Sequence, residues 1–209
     1  PTTRGNPGDA PRDPACYDAR RFARVRRAFA HFASGSASMD VLILMQGMIP
    51  VPGRPVTGNG LRAHALSQGL VQRGHRVRLA TRSIDADDVD PARLPADLLR
   101  YDDGASIAEL VTGSGADAVV VCQWELLEQL PEPCPIPVIA DLYGPRLVEM
   151  QFERADLDRE GARFVEQLRR ADAFLVASDR QRWFALPWLM LAGFDCRNPP
   201  LHVVPISAD

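Results

Sequence analysis

Lysine is absent: all 24 basic residues of this 209-residue chain are arginines. A Walker-type phosphate loop, which ends in Gly-Lys-Ser/Thr, is therefore excluded. A short GxGxxG turn straight after an apolar strand is missing too, and so is an acidic residue closing the second strand to hold a ribose. A dinucleotide cradle of the dehydrogenase kind lacks both of its marks. Cysteine is scarce, and Cys16, Cys122, Cys134 and Cys196 fit neither a CxxC pair nor a zinc spacing. No metal or cofactor is expected, and a reduced, cytoplasmic compartment is. No apolar run approaches the roughly 18 residues of a membrane span, and no signal-peptide pattern is visible. Positive charge is not in excess either: the formal net charge is -3, which offers no general attraction for nucleic acid.

What is present is an ordinary globular composition, 46% hydrophobic and 24% charged. Residues 1–38 stand apart from the rest. PTTRGNPGDAPRDP at the start carries too few apolar side chains to offset the entropy of ordering, so a disordered tail is expected. From Ala15 to Ala33, Phe22, Val25, Phe29 and Phe32 recur at helical spacing, with Arg20, Arg21, Arg24 and Arg27 between them. This pattern predicts a basic amphipathic helix. It suits packing on the domain or peripheral contact with an anionic membrane surface. SGSAS, from Ser34 to Ser38, reads as a linker.

Residues 39–209 alternate apolar runs with helical patterns, which predicts a Rossmann-like α/β domain: a doubly wound, mostly parallel sheet of six or seven strands. The organising stretch is Met39 to Thr81. VLILM has no polar alternation and reads as a strand buried on both faces. A Pro- and Gly-rich loop follows from Gln46 to Asn59, then a helix from Gly60 to Arg73, a Gly74-His75 turn and a second strand from Arg76 to Thr81. Further strands are expected at Leu98–Tyr101, Ala118–Cys122, Pro137–Asp141, Ala173–Ala177 and His202–Pro205. Pro145 to Arg170 predicts two helices or one bent helix, and Pro187 is expected to kink or break the helix that follows Ser178.

Ligands of open α/β sheets bind at the carboxyl ends of the strands, so residues placed there are the candidates. Gly58, Asn59 and Gly60 lie just ahead of the first helix, where bare amides can meet a phosphate or hydroxyls. His64 sits in the first turns of that helix, whereas His75 lies at the opposite edge. Asp141 ends a strand and can orient a sugar hydroxyl, act as a base or cap a helix; Tyr143 follows it. Trp124 and Glu125 emerge from another strand, where the indole can stack on a sugar or cover the core. Ser178, Arg180 and Gln181 complete the set, with Ser178 also a candidate helix cap. Cys122 reads as a core residue, and Glu153 and Glu160 as solvated helix positions.

The Gly58-Asn59-Gly60 helix with Gly74-His75-Arg76-Val77, the strand ending in Asp141, ADAFLVASDRQR from Ala171 to Arg182, and VVPISAD from Val203 to Asp209 together resemble the amino-terminal half of family 4 retaining glycosyltransferases of GT-B fold. DLYGP and the Trp-rich stretch from Trp183 to Leu191 look like members from bacterial surface-polysaccharide enzymes. The resemblance implies a two-domain, metal-independent enzyme with a glycan acceptor held by this half. The nucleotide-sugar would be held by a carboxy-terminal donor domain following Asp209, and the glycine loop would adjoin the donor phosphates. Ser207-Ala208 stands where the family has Asn-Gly, and Asp141-Leu142 where many members have His. Without the donor domain the chain is expected not to turn over. The alternative reading is a free-standing Rossmann- or flavodoxin-like module that binds a small ligand or a partner.

Overall fold

The computed structural model describes residues 38–53, 55–87 and 89–205. The tail, the amphipathic segment and Ser207-Ala208 lie outside them. Each apolar run forms a strand: β1 (Asp40–Leu44), β2 (Arg76–Arg82), β3 (Asp97–Tyr101), β4 (Ala118–Val121), β5 (Val138–Asp141), β6 (Ala173–Val176) and β7 (Leu201–Val203). All neighbouring pairs are parallel, in the order β3-β2-β1-β4-β5-β6-β7. This is a Rossmann-like sheet, and its order reverses between β1 and β4. The unbroken apolar character of the central strands has a plain cause. Val41, Leu42, Ile43 and Leu44 are all fully buried, alternating between two covered faces.

On one face Leu42, Leu44, Val119, Val121, Val138, Ala140, Phe174 and Val176 pack with helices α2 (Gly104–Gly113), α4 (Leu157–Leu168) and α5 (Asp179–Leu191). On the other, Val41, Ile43, Val120, Ile139, Ala173 and Leu175 share a cluster with Ala63 of α1 (Gly58–Gln72). The remaining helix, α3 (Arg146–Phe152), is followed by Arg154 at φ 58°, so the pattern from Pro145 to Arg170 resolves into two helices.

Helix boundaries follow their caps. Thr57 Oγ1 accepts from the Gly60 amide, Asp103 and Ser106 form a reciprocal capping box, and the Asp156 and Ser178 side chains accept from Arg159 N and Gln181 N. Gly74, at φ 83°, ends α1 in the left-handed region. Of the two outcomes expected at Pro187, the break does not occur: α5 runs from Asp179 to Leu191 with the proline inside it. Ala185 and Leu189, both buried, anchor it on either side of the proline.

Candidate functional site

The carboxyl edge at the β1/β4 reversal is built around the segment from Met45 to Thr57 and the start of α1. Its base is tied down at two points. The Tyr101 hydroxyl donates to the Met45 carbonyl at 2.8 Å, and burial raises that phenol's pKa. The Gly47 amide donates to Asp85 Oδ2 at 2.9 Å, and Arg82 Nε holds the same oxygen at 2.8 Å. Burial alone would push the Asp85 carboxyl up, but the bonds from Arg82 and the Gly47 amide outweigh it and leave it below its ordinary value.

Close approaches mark two glycines at the start of α1, and at Gly60 the residue is required. A Cβ on Gly60 would stand 1.8 Å from the Met48 carbonyl oxygen, so the loop backbone crosses the helix start at a distance that only glycine permits. A Cβ on Gly58 would stand 2.8 Å from the Tyr143 hydroxyl, which brings Tyr143, arriving after β5, against the first turn. Gly58, Asn59 and Gly60 are thus the first residues of α1 rather than a loop preceding it, because Thr57 supplies the cap. The Gly60 amide is taken by Thr57 Oγ1 at 3.2 Å. Helix geometry leaves the Gly58 and Asn59 amides without intrahelical partners, at the positive end of the helix dipole.

Beneath this first turn lies a residue that sequence reasoning passed over. Arg62 is 1% exposed, and it donates through Nε to Asp141 Oδ2 at 2.8 Å and through Nη2 to Asp141 Oδ1 at 3.2 Å. Its Nη1 reaches past β5 to the Val204 carbonyl at 2.7 Å and the Pro205 carbonyl at 3.3 Å. One guanidinium therefore ties α1 to the ends of β5 and β7. The available signal was an arginine within the inward stripe of α1, in a fold where a strand ends in aspartate. The carboxylate of Asp141 has no exposed side-chain surface. Burial raises its pKa, and the two bonds from Arg62 oppose the rise. It caps no helix, since α3 begins at Arg146 after Pro145. The free, ligand-facing carboxylate expected from the sequence is in this structure a buried counter-ion with both oxygens engaged.

Tyr143 is half-buried, and its carbonyl accepts from Gln181 Nε2, while Gln181 Oε1 accepts from the Ala177 amide at 2.7 Å. Ser178 caps α5 through the Gln181 amide at 3.3 Å. Gln181 thus joins the ends of β5 and β6 and Ser178 is occupied as the cap of α5, whereas Arg180 beside them is exposed. His64 is half-buried on α1, and burial lowers its pKa, favouring the neutral imidazole. His75 lies at the opposite edge as expected, its Nδ1 accepting from the Met39 amide at 3.3 Å.

Trp124 and Glu125 do not join this group. Trp124 is 5% exposed and meets Phe164 edge to face at 5.1 Å, with the Arg163 guanidinium 5.3 Å over its ring. A stacking platform is ruled out because the chain after β4 turns at once into a 3-10 segment, Trp124–Gln129, whose Trp124, Leu126 and Leu127 face the core. Glu125 accepts from Arg146 Nε at 3.2 Å, in a network that includes Glu153. Glu160, read as solvated, is buried and paired with Arg163, and Cys122 is buried as a core residue.

Gln123, next to Trp124, was also missed. Its carboxamide donates to the Gln46 carbonyl at 2.9 Å and accepts from the Gln46 amide at 2.7 Å, extending the β1/β4 pairing beyond the strands. The crevice between β1 and β4 is bridged by this pair. Among the described residues no cluster of three His, Cys, Asp or Glu is arranged to hold a metal ion. Nor is any helix among them long and apolar enough to cross a membrane.

No protein-family model matches the sequence, and no curated protein matches it either. Among solved structures, a short-chain dehydrogenase/reductase from Veillonella parvula is similar over 68% of this chain and 70% of that one, with 13% identity and a TM-score of 0.38. A likeness of that size carries no argument about activity.

Proposed function

We propose that residues 39–209 form the acceptor-side half of a retaining, metal-independent glycosyltransferase of GT-B type acting on a bacterial glycan. One observation supports this most: the open first turn of α1, with Gly58 and Asn59 amides unclaimed by the helix, stands beside Tyr143 at the carboxyl edge of the sheet. Such a turn suits the diphosphate of a nucleotide-sugar delivered by a second domain, while Tyr143 and the exposed Arg180 line the acceptor side. Asp141 serves here as a positioning residue that holds Arg62, and so sets where α1 begins relative to β5.

The test is titration of the chain with a panel of nucleotide-sugars and glycan acceptors, alone and together with a donor-binding domain. Alone, the chain is expected to bind acceptor saturably and to release no free sugar. Robust hydrolysis or transfer by this chain by itself would refute the split cleft. A partner-binding module is the second reading, favoured by Trp183, Met190 and Leu191 on α5, which are 73%, 62% and 58% exposed. Capture of a protein partner that depends on Trp183, without any sugar binding, would decide for it.

A further inference from the structure

From Trp183 to Leu191 every residue of α5 is apolar, and a helix that is apolar all round is ordinarily buried all round. In this chain only the inner side is. Ala185 and Leu189 are buried in the core cluster, Leu186 and Trp188 are partly buried beside them, and the helix packs on β6, β7 and α4. β7 is the last strand of the sheet, which makes α5 the edge helix of its layer. Its outer stripe is open: Trp183 is 73% exposed, Phe184 38%, Met190 62% and Leu191 58%, with Pro187 exposed between them. The neighbouring α4 shows the ordinary pattern, with Asp158, Arg159 and Glu166 on its exposed side. Side chains of this size leave roughly 500 Å² of apolar surface along α5, a patch of the extent that marks an interaction site.

We propose that this stripe is the interface of a two-fold homodimer, in which two copies of α5 pack antiparallel about Pro187. The stripe is self-complementary. Reversing the helix about Pro187 sets Trp183 opposite Leu191 and Phe184 opposite Met190, so each large aromatic meets an aliphatic or thioether side chain, and the compact ring of Pro187 meets its own copy at the axis. Charge agrees with this direction. Arg180, exposed at the start of the same stripe, sits at the positive end of its own helix dipole. An antiparallel copy brings the negative carboxyl end of its α5 to that place, with Asp195 just beyond it. Charges of both signs flank the stripe, Asp179 and Arg180 before it and Asp195 paired with Arg197 at 2.9 Å after it, whereas a helix made for an anionic bilayer carries a basic rim. Two copies together remove about 1,000 Å² from water, the size at which specific interfaces begin, so a reversible dimer is expected. The inference rests on the same α5 surface as the partner-binding reading, names its occupant, and is compatible with sugar binding at the carboxyl edge.

Sedimentation equilibrium of the whole 209-residue chain, between about 1 and 200 µM, tests it. The mass is expected to rise to that of two chains, and Trp183→Asp to raise the dissociation constant at least about tenfold while the far-UV circular dichroism stays that of the native chain. Should that variant not fold, Met190→Lys on the same open stripe decides. The pairing about Pro187 has its own test in an exchange of sizes. Trp183→Leu alone and Leu191→Trp alone each weaken association, and the two combined restore it, because large again faces small across the axis. A chain that stays monomeric throughout overturns the inference, as does a dimer indifferent to Trp183→Asp and Met190→Lys. A double exchange weaker than either single overturns the two-fold pairing, and a monomer that sediments with phosphatidylglycerol vesicles through Trp183 gives the stripe to a membrane instead. Mass alone is read, so failure here leaves the sugar titration standing as a separate result.

Discussion

The two edges of the sheet solve the same problem, bare backbone groups at strand ends, in different ways. At the amino edge, aspartates cap neighbouring strands, beside the buried His75 on the Met39 amide and Arg78 shared by Asp40 and the Ser114 carbonyl. Asp117 Oδ2 accepts from the Asp40 amide at 2.8 Å, and Asp172 Oδ2 from the Val138 amide at 2.7 Å. At the carboxyl edge the groups are buried and shared. Arg62 serves Asp141 and two carbonyls after β7, Gln123 serves both backbone groups of Gln46, and Gly60 leaves no room between α1 and Met48. Losing the Asp117 carboxylate frees the Asp40 amide near solvent, whereas losing Arg62 or Gln123 leaves several partners without it. Precision is concentrated at the edge where open α/β sheets bind ligands.

The contrast is broken most severely at Arg62. Arg62→Met leaves a buried carboxylate without its counter-ion and should lower unfolding free energy by ~3–5 kcal/mol in urea titrations. Combining it with Asp141→Leu should recover most of that loss, because the uncompensated charge is then gone. Next comes Gly60→Ala, whose methyl group requires the Met48 backbone to shift; about 1–3 kcal/mol is expected, measured the same way. Gly58→Ala meets only the movable Tyr143 hydroxyl, so it should cost less stability and weaken ligand binding more.

A matched pair sharpens the comparison between edges. Gln123→Ala removes both partners of Gln46 and should cost ~1–3 kcal/mol, whereas Asp117→Ala at the exposed amino edge should cost no more than ~1 kcal/mol. The smallest effect is a pH dependence. The Asp85 carboxyl is held below its ordinary 3.8 in the folded chain, so it contributes stability above that pH and loses it as the pH falls through the depressed value. The gap in thermal midpoint between the native chain and Asp85→Asn should be constant near neutrality and close in acid. A gap that widens in acid would contradict the Gly47–Asp85 anchor.

Much of the fold was legible because it rests on local pattern. VLIL, AVVV and AFLV could be read as doubly covered strands, Gly74 as a helix stop and Ser178 as a cap, since each depends on neighbours in sequence. The candidate site was legible only in outline. Gly58, Asn59, Gly60 and Tyr143 do converge, but Trp124 turned inward and Asp141 was spoken for. Whether Trp124 and Asp141 face a ligand or the core depends on Phe164 and Arg62, 40 and 79 positions away, and no spacing rule encodes them.

The sequence by itself thus determined the class of sheet, the helix ends and the exclusion of lysine-dependent phosphate loops, because hydrophobic period, capping and composition act over a few residues. Only the tertiary structure decided that Arg62 is buried, that Gln123 mimics a strand partner and that one face of the sheet carries α1 alone among the described helices. Those outcomes follow from which strands become neighbours. Parallel order brings Asp141, Val204 and α1 together, and once they meet, the cost of burying unpaired polar groups leaves a single arrangement of hydrogen bonds.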